Sequence, residues 1–292
     1  MFPSHNPAQQ VFSWHCHGKS IPESGLTSAA INMREPVSRV RMLYQQPIGR
    51  TLPYDNPEFR SAYLLAYFPY YIEPICHVLE TVNFPDSLFA SGTLKVAFFG
   101  GGPCPEHLGL AAYLRRRAPR LSRVDATVFD RQSGWNPVQQ ELVPSMLESY
   151  RSGRTTFDLN SRSCDVVECL ARHCNCGVAE TDLIIAQNFL TEVYLDRTRA
   201  IETFERLIRR SNCRYLVFID NTYDQVKELM NDISGHLYDQ GLTRSRSIAV
   251  TRSIMPNFRL PPVMQQHLFI GGNLLQPKYK VHFHHMVLEI AR

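Results

Sequence analysis

Residues 94–110 read Leu-Lys-Val-Ala-Phe-Phe-Gly-Gly-Gly-Pro-Cys-Pro-Glu-His-Leu-Gly-Leu, and no other stretch constrains the fold as much. A short apolar run breaks into Gly100, Gly101 and Gly102, and a helix-like segment, Glu106 to Arg117, follows. An apolar strand, a turn tight enough to need glycine, and a helix form the entry of a nucleotide-type ligand site. The backbone approaches a ligand closely there, and the helix N-terminus offers unpaired N–H groups. The dinucleotide pattern G-x-G-x-x-G is only partly met: Gly100 and Gly102 fit, but Pro105 stands at the third glycine. Proline there can open a helix and weakens a dinucleotide reading.

The rest of the chain places this turn in a larger pattern. Strands are expected at Leu94–Phe99, Asp125–Asp130, 154–159, Asp182–Ala186 and Tyr215–Ile219. Helices are expected at 105–117, 137–150, 164–174, 197–210 and 224–238. Five β-α units imply a parallel sheet with helices on both faces. Two further strand-like runs, Ser245–Ile254 and Lys280–Ile290, flank a Pro/Gly-punctuated insertion at 255–277 and can pair as an antiparallel edge. Residues 1–40 carry Pro3, Pro7, Pro22 and Pro36 and read as an irregular arm. Residues 57–82 read as an amphipathic helix with a kink or break at Pro69 or Pro74. The expected organisation is an arm at 1–40, a helical cap at 41–90 and a ligand-binding domain at 91–292.

Composition bounds what such a chain can be. At 292 residues, 44% apolar and 20% charged, it has material for one large α/β domain with an extension, or for two small ones. A net charge of +4 is too mild to point to nucleic acid by itself. The longest apolar run, near Ala62–Ile72, is interrupted by Pro69 and is too short to span a bilayer. Met1–Ile21 lacks the apolar core of a secretory signal. No membrane partner is therefore expected, and a cytoplasmic location is, with a nuclear or organellar one as the alternative. Reduced thiols are also expected at the eight cysteines, rather than a disulfide framework.

The acid after the second strand narrows the ligand. Asp130 ends that strand, where a carboxylate can accept both hydroxyls of an adenosine ribose. The turn Phe99-Gly100-Gly101-Gly102-Pro103-Cys104, Asp130 and the order of five β-α units followed by a terminal strand pair resemble the class I S-adenosylmethionine (SAM)-dependent methyltransferases over roughly residues 60–292. The resemblance implies an α/β, doubly wound, Rossmann-like sheet of seven strands with the last inserted antiparallel, here with an N-terminal helical cap. It also implies SAM as cofactor. Carried over by position, Gly100, Gly101, Gly102 and Cys104 meet its methionine part, Asp130 the ribose and Asp158 the adenine. Gln187, Asn188 and Phe189 line the methyl-transfer site. Two positions depart from the family: Phe98 stands where an acid is usual and Cys104 where glycine is common. The cofactor's amino group therefore needs another partner, and Glu106 is a candidate.

More loosely, Ala62-Tyr-Leu-Leu-Ala-Tyr-Phe-Pro-Tyr-Tyr and Asp182-Leu-Ile-Ile-Ala-Gln-Asn-Phe-Leu-Thr-Glu-Val look like a methyltransferase-like family of mitochondrial ribosome assembly. That resemblance is one of layout, and no metal cysteines are carried over from it.

Methyl transfer from a sulfonium is an in-line displacement, and a base is needed only where the acceptor is protonated. Glu192 is the candidate base; Tyr63, Tyr67, Asp220, Asn221 and Tyr223 are candidate acceptor contacts. Trp135 can pack on the adenine or anchor the helix that follows it. The Gln187-Asn188-Phe189-Leu190 segment does not match the Asn/Asp-Pro-Pro-aromatic pattern of exocyclic-amine methyltransferases. His15-Cys16-His17 and His173-Cys174-Asn175-Cys176 lack the C-x-x-C pairing of structural zinc sites, so no metal is expected. Arg115, Arg116, Arg117, Arg206, Arg209 and Arg210 fall at helix C-termini, where cations complement the helix dipole. The leading expectation is a SAM-dependent methyltransferase acting on a small molecule or a protein-presented group. The alternatives are a ribosome- or RNA-associated methyltransferase-like protein and a non-catalytic assembly factor that keeps the fold.

Overall fold

Two alternating phenylalanines, Phe98 and Phe99, divide the core between two faces of one sheet, because successive strand side chains point opposite ways. The computed structural model describes residues 6–46, 52–151, 154–172, 177–272 and 274–292. The elements run α1 (Pro7–Gly18), α2 (Leu26–Asn32), α3 (Arg34–Tyr44), α4 (Pro57–Ala66), α5 (Phe68–Glu80), β1 (Thr93–Phe99), α6 (Pro105–Arg117), β2 (Arg123–Asp130), α7 (Val143–Leu147), β3 (Thr156–Ser163) and α8 (Val166–Ala171). They continue with β4 (Leu183–Gln187), α9 (Leu190–Val193), α10 (Arg197–Arg210), β5 (Tyr215–Asp220), α11 (Asp224–Asp239), β6 (Val250–Ile254), α12 (Pro262–His267) and β7 (Val281–Glu289).

The sheet has seven strands in the order β3-β2-β1-β4-β5-β7-β6. β1 to β5 are parallel, and β7 lies antiparallel between β5 and β6. This is the α/β, doubly wound arrangement expected above, with the antiparallel final strand. On the Phe98 face lie α1 to α6; on the Phe99 face lie α8, α10 and α11. α5 lies close against α6 because position 109 is glycine. A Cβ there would sit 2.2 Å from the Ile72 carbonyl oxygen and 2.1 Å from an Ile75 methyl.

The N-terminal arm is not irregular: residues 7–44 form three helices. Two of the prolines read as breakers are helix starters. Pro7 is the first residue of α1, with the Asn6 side chain accepting from the Ala8 and Gln9 N–H groups, and Pro36 lies in the first turn of α3. Ala8, Val11, Phe12, His15 and Cys16 are all buried, at helical spacing. The pattern is hidden in sequence because two of its five members are the polar-looking His15 and Cys16. The helix expected over 57–82 breaks at Tyr67, just before Pro69, and α5 then runs on through Pro74.

Other boundaries move. β3 runs from Thr156 to Ser163 rather than 154–159, and α8 is only Val166–Ala171. The helix expected at 137–150 is a π-helical turn, Val138–Leu142, continued by α7. β6 starts at Val250 rather than at 245. Cys169 is disulfide-bonded, which corrects the expectation of reduced thiols at that position; Cys16, Cys76, Cys104 and Cys213 are free. His173-Cys174-Asn175-Cys176 lies outside the described residues. Among the described residues, no helix is long and apolar enough to cross a membrane, and no group of His, Cys, Asp and Glu is placed to hold a metal ion. His282 and His284 accept or donate across the β6–β7 pair, to Ser253 and Thr251.

Candidate functional site

The parallel strands all present their C-terminal ends at one edge, and that is where the sequence turns polar. β1 ends in the glycine turn, β2 in Asp130, β4 in Gln187 and β5 in Asp220. β1 has β2 on one side and β4 on the other, so the crossover connections diverge there and leave a crevice.

The turn's backbone is unusual. Gly100 has φ +59°, Gly102 +48° and Cys104 +60°, so every second residue is left-handed. Gly100 also lies against the Phe189 ring, which a Cβ would approach to 2.5 Å. Cys104 shows why glycine is common at its place: a non-glycine residue in this conformation is strained by about 1–2 kcal/mol. The Asp130 carboxylate ties the turn to β2. Its Oδ2 accepts from the Gly102 N–H at 2.8 Å and its Oδ1 from the Gln132 N–H at 2.8 Å. The Gln139 amide, on the π-helical turn, donates to the Gly102 carbonyl.

Two clefts open at this edge, of about 910 Å³ and 810 Å³ with their mouths included. They share Gly100, Asp130, Arg131 and Glu192 as a common wall. The first is floored by Gly100, Gly101, Gly102 and Glu106 and flanked by Gln187, Asn188, Asn221 and Tyr223. Its roof is Tyr44 at the end of α3, Tyr54, and Tyr63 on α4, with Trp135 beside them. The second lies between β2 and the segments after β3 and β4, lined by Cys164, Asp165, Val166 and Phe189.

The carboxyl groups of Glu106, Asp130, Glu192 and Asp220 are held above their ordinary range, first by burial. Glu106 is 2% exposed and pushed up to about 8, first by desolvation; the Cys104 thiol hydrogen-bonds it, and Asp130 nearby adds repulsion. One Glu106 carboxyl oxygen is buried without a hydrogen-bond partner. Such an oxygen costs about 1–3 kcal/mol until something pairs with it. Glu192 is open to the cleft yet ringed by protein, and this desolvation, with Asp130 and Asp220 close by, pushes it to about 7. Tyr44, Tyr54 and Tyr63 are pushed well above 10 by burial and stay neutral.

Of the residues singled out in sequence, the first cleft gathers Gly100, Gly101, Gly102, Glu106, Asp130, Gln187, Asn188, Glu192, Asn221, Tyr223 and Tyr63. The others lie elsewhere. Asp158 sits early in β3, paired in register with Asp125 and ion-paired to Arg123 at 3.1 Å, far from the C-terminal edge. Because β3 runs to Ser163, the polar residue that follows it is Asp165, which caps α8 and lines the second cleft. Phe189 lines that second cleft beneath Gly100. Cys104 is fully buried under the turn. Tyr67 stacks on Tyr71 with the Lys278 ammonium 4.7 Å from its ring centre. Asp220 faces inward and accepts from the Thr191 hydroxyl and N–H and the Asn221 N–H, holding the start of α9 on which Glu192 stands.

The roof residues Leu43, Tyr44, Leu52 and Tyr54 escaped the sequence reading, as did Arg131, Gln132 and Asp165. Arg131 and Gln132 had a usable signal, their adjacency to Asp130. For Leu43, Tyr44, Leu52 and Tyr54 there is none, since the contacts of the two tyrosines with Tyr63 and Trp135 join residues distant in sequence.

No family model and no curated protein matches the chain. Solved structures do. The plantazolicin methyltransferase BpumL in complex with SAH is 13% identical, covering 90% of this chain and 98% of that one at a TM-score of 0.41. An O-methyltransferase family protein from Burkholderia thailandensis is 14% identical, covering 87% and 71% at 0.47. The O-methyltransferase from Bacillus cereus in complex with SAH is 9% identical, covering 88% and 90% at 0.39. The fold is that of the class I methyltransferases. That fold is defined by the strand order β3-β2-β1-β4-β5-β7-β6 with its antiparallel β7.

Proposed function

We propose that this chain is a SAM-dependent methyltransferase whose acceptor, a small molecule or a protein-presented group, is enclosed by the N-terminal helices. The observation that carries this reading is the pair of clefts meeting at Asp130, at the C-terminal edge of β1, β2 and β4. A ligand with two different ends joined by a ribose suits two clefts joined at a carboxylate. Asp130 would hold the ribose hydroxyls. Asp165 and Phe189 would meet the adenine in the second cleft, and the glycine turn the methionine part in the first.

Phe98, at the family's usual acid position, is fully buried in the core. Glu106 takes over that duty in this reading. Its unpartnered oxygen suits an α-ammonium group, and the Cys104 thiol steadies it. When bound, SAM supplies an electrophilic methyl group on a sulfonium. The chain's part is to align the acceptor beside Gln187, Asn188 and Glu192 and to keep water out beneath the tyrosine roof. Helices α1 to α5 together form the proposed cap.

Calorimetry with S-adenosylhomocysteine (SAH) tests this. We expect micromolar binding and at least a tenfold loss in Asp130→Ala; no binding at millimolar ligand would sink the assignment. The burial of Phe98 also favours a second reading, a non-catalytic assembly factor that keeps the fold, and the same absence of binding would support it. An RNA-associated role gains little from the arginine clusters. They sit at the C-termini of α6 and α10, and α6 starts at the glycine turn, so its last residues lie at the opposite edge.

A further inference from the structure

We infer that the methyl acceptor is an amine, recognised as its ammonium form by the tyrosine roof and by Glu192; this rests on the cofactor assignment above. Two independent features of the first cleft carry it.

The first is the sign of its charge. Among the described residues lining the cleft, Glu106, Asp130 and Glu192 are acidic, Arg131 is the one cation, and there is no lysine or histidine. With Glu106 and Asp130 committed to the cofactor, Glu192 is the carboxylate left for the acceptor. A carboxylate or phosphate acceptor would meet like charge there, and a phenolate would find few cations to stabilise it.

The second is the roof. The Tyr44, Tyr54 and Tyr63 rings and Trp135 form one aromatic group, with Tyr54 and Tyr63 centred 5.7 Å and 5.6 Å from Trp135 and Tyr44 5.9 Å from Tyr63. Aromatic faces attract organic cations through the ring quadrupole, more strongly where water is excluded. The Tyr44 and Tyr54 hydroxyls hydrogen-bond each other, and Tyr223 donates to the Tyr44 carbonyl at 3.0 Å, so the group is held in place. Asp220 fixes the first turn of α9 and thereby aims Glu192 into the same space.

The chemistry balances without a further reagent. An ammonium that enters the cleft gives one proton to the Glu192 carboxylate, and this frees its nitrogen lone pair. The lone pair forms the new N–C bond as the S–C bond breaks. The electron pair of that bond stays on sulfur, which becomes a neutral thioether, and the methylated nitrogen takes up the positive charge. The proton on Glu192 then leaves to solvent through the cleft mouth. The charged and titratable groups facing Glu192 are Asp130 at the end of β2, Arg131 just after it, Asp220 on β5, and the Tyr44, Tyr54 and Tyr63 phenols.

The test uses the full chain loaded with SAH at pH 8, titrated with 2-phenylethylamine, 2-phenylethanol and phenylacetate as shape-matched probes. We expect the amine to bind at least tenfold more tightly than either of the others. Glu192→Gln should remove at least tenfold of the amine's affinity and leave that of the alcohol within twofold. Equal binding of alcohol or carboxylate, no binding of the amine, or an unchanged affinity in Glu192→Gln would overturn the inference. Failure of SAH itself to bind would instead strike the cofactor assignment, so the two failures are told apart.

Discussion

The floor and the roof of the first cleft are built by opposite means. The floor is one local stretch, β1 to α6, whose shape follows from backbone conformation: left-handed residues at positions 100, 102 and 104 and a helix opened by Pro105. The roof is assembled from the end of α3, the segment before α4, and α4 itself, and is held by ring contacts and one pair of phenol hydroxyls. A floor set by backbone geometry tolerates almost no change. A roof set by side-chain packing can change its residues and keep its shape. On the proposed function, the cofactor's end of the site is the rigid one, and the acceptor's end is where specificity can be altered.

The largest expected effect tests the floor. Gly100→Val puts a branched side chain at φ +59° and into the Phe189 ring, and should cost roughly 3 kcal/mol or more of stability in urea unfolding and abolish SAH binding. A loss below 1 kcal/mol would mean that the turn is softer than drawn, and the contrast with the roof would fail.

The next effect is on pH dependence. Glu106 has a folded-state pKa of about 8 against an ordinary value of 4.5. Its folded pKa is raised, so its contribution to stability is complete below about 4.5 and is lost as pH rises through about 8. The free protein should lose stability from pH 5 to pH 8, and Glu106→Gln should flatten that slope. Pairing with an ammonium would ionise Glu106, so SAH binding at pH 7 should release a proton. The binding heat should then vary with the buffer's ionisation enthalpy in the wild type but not in Glu106→Gln. A buffer-independent heat in both would remove Glu106 from the amino-group site.

The roof should respond more mildly. Tyr54→Phe removes the hydroxyl pairing with Tyr44 and should cost about 1 kcal/mol of stability. SAH affinity should stay within about threefold. A tenfold loss of SAH affinity would show that the roof binds cofactor as well as acceptor.

The smallest effect isolates the strained cysteine. Cys104→Gly and Cys104→Ala both lose the buried thiol, but only glycine relieves φ +60°, so the glycine variant should be the more stable by about 1 kcal/mol. Equal stability would place the strain elsewhere.

The difference between floor and roof also explains what is legible in the sequence. Gly100, Gly102 and Asp130 were readable because a turn of this kind needs those residue types, and the β-α alternation gave the sheet. The five strands and their helices follow short-range patterns of apolar residues, and these survive as sequence signals. Asp158 is misplaced in sequence because no residue of β3 is buried, and its weak pattern leaves its end ambiguous by four residues, enough to move the polar position to Asp165. The N-terminal helices are not legible in the sequence because Pro7 and Pro36 start helices rather than end them, and because His15 and Cys16 supply two of the buried positions of α1.

The sequence by itself determined the sheet, the glycine turn and the carboxylate beside it, since each depends on conformational preferences within a few residues. Tertiary structure alone decided that Tyr44 and Tyr54 lie over the turn, that Asp220 supports α9 rather than lining the cleft, and that Glu106 is buried with one oxygen unpaired. Those facts depend on packing between segments far apart in the chain, where burial and the neighbours of a polar atom are set by contacts that no local pattern encodes.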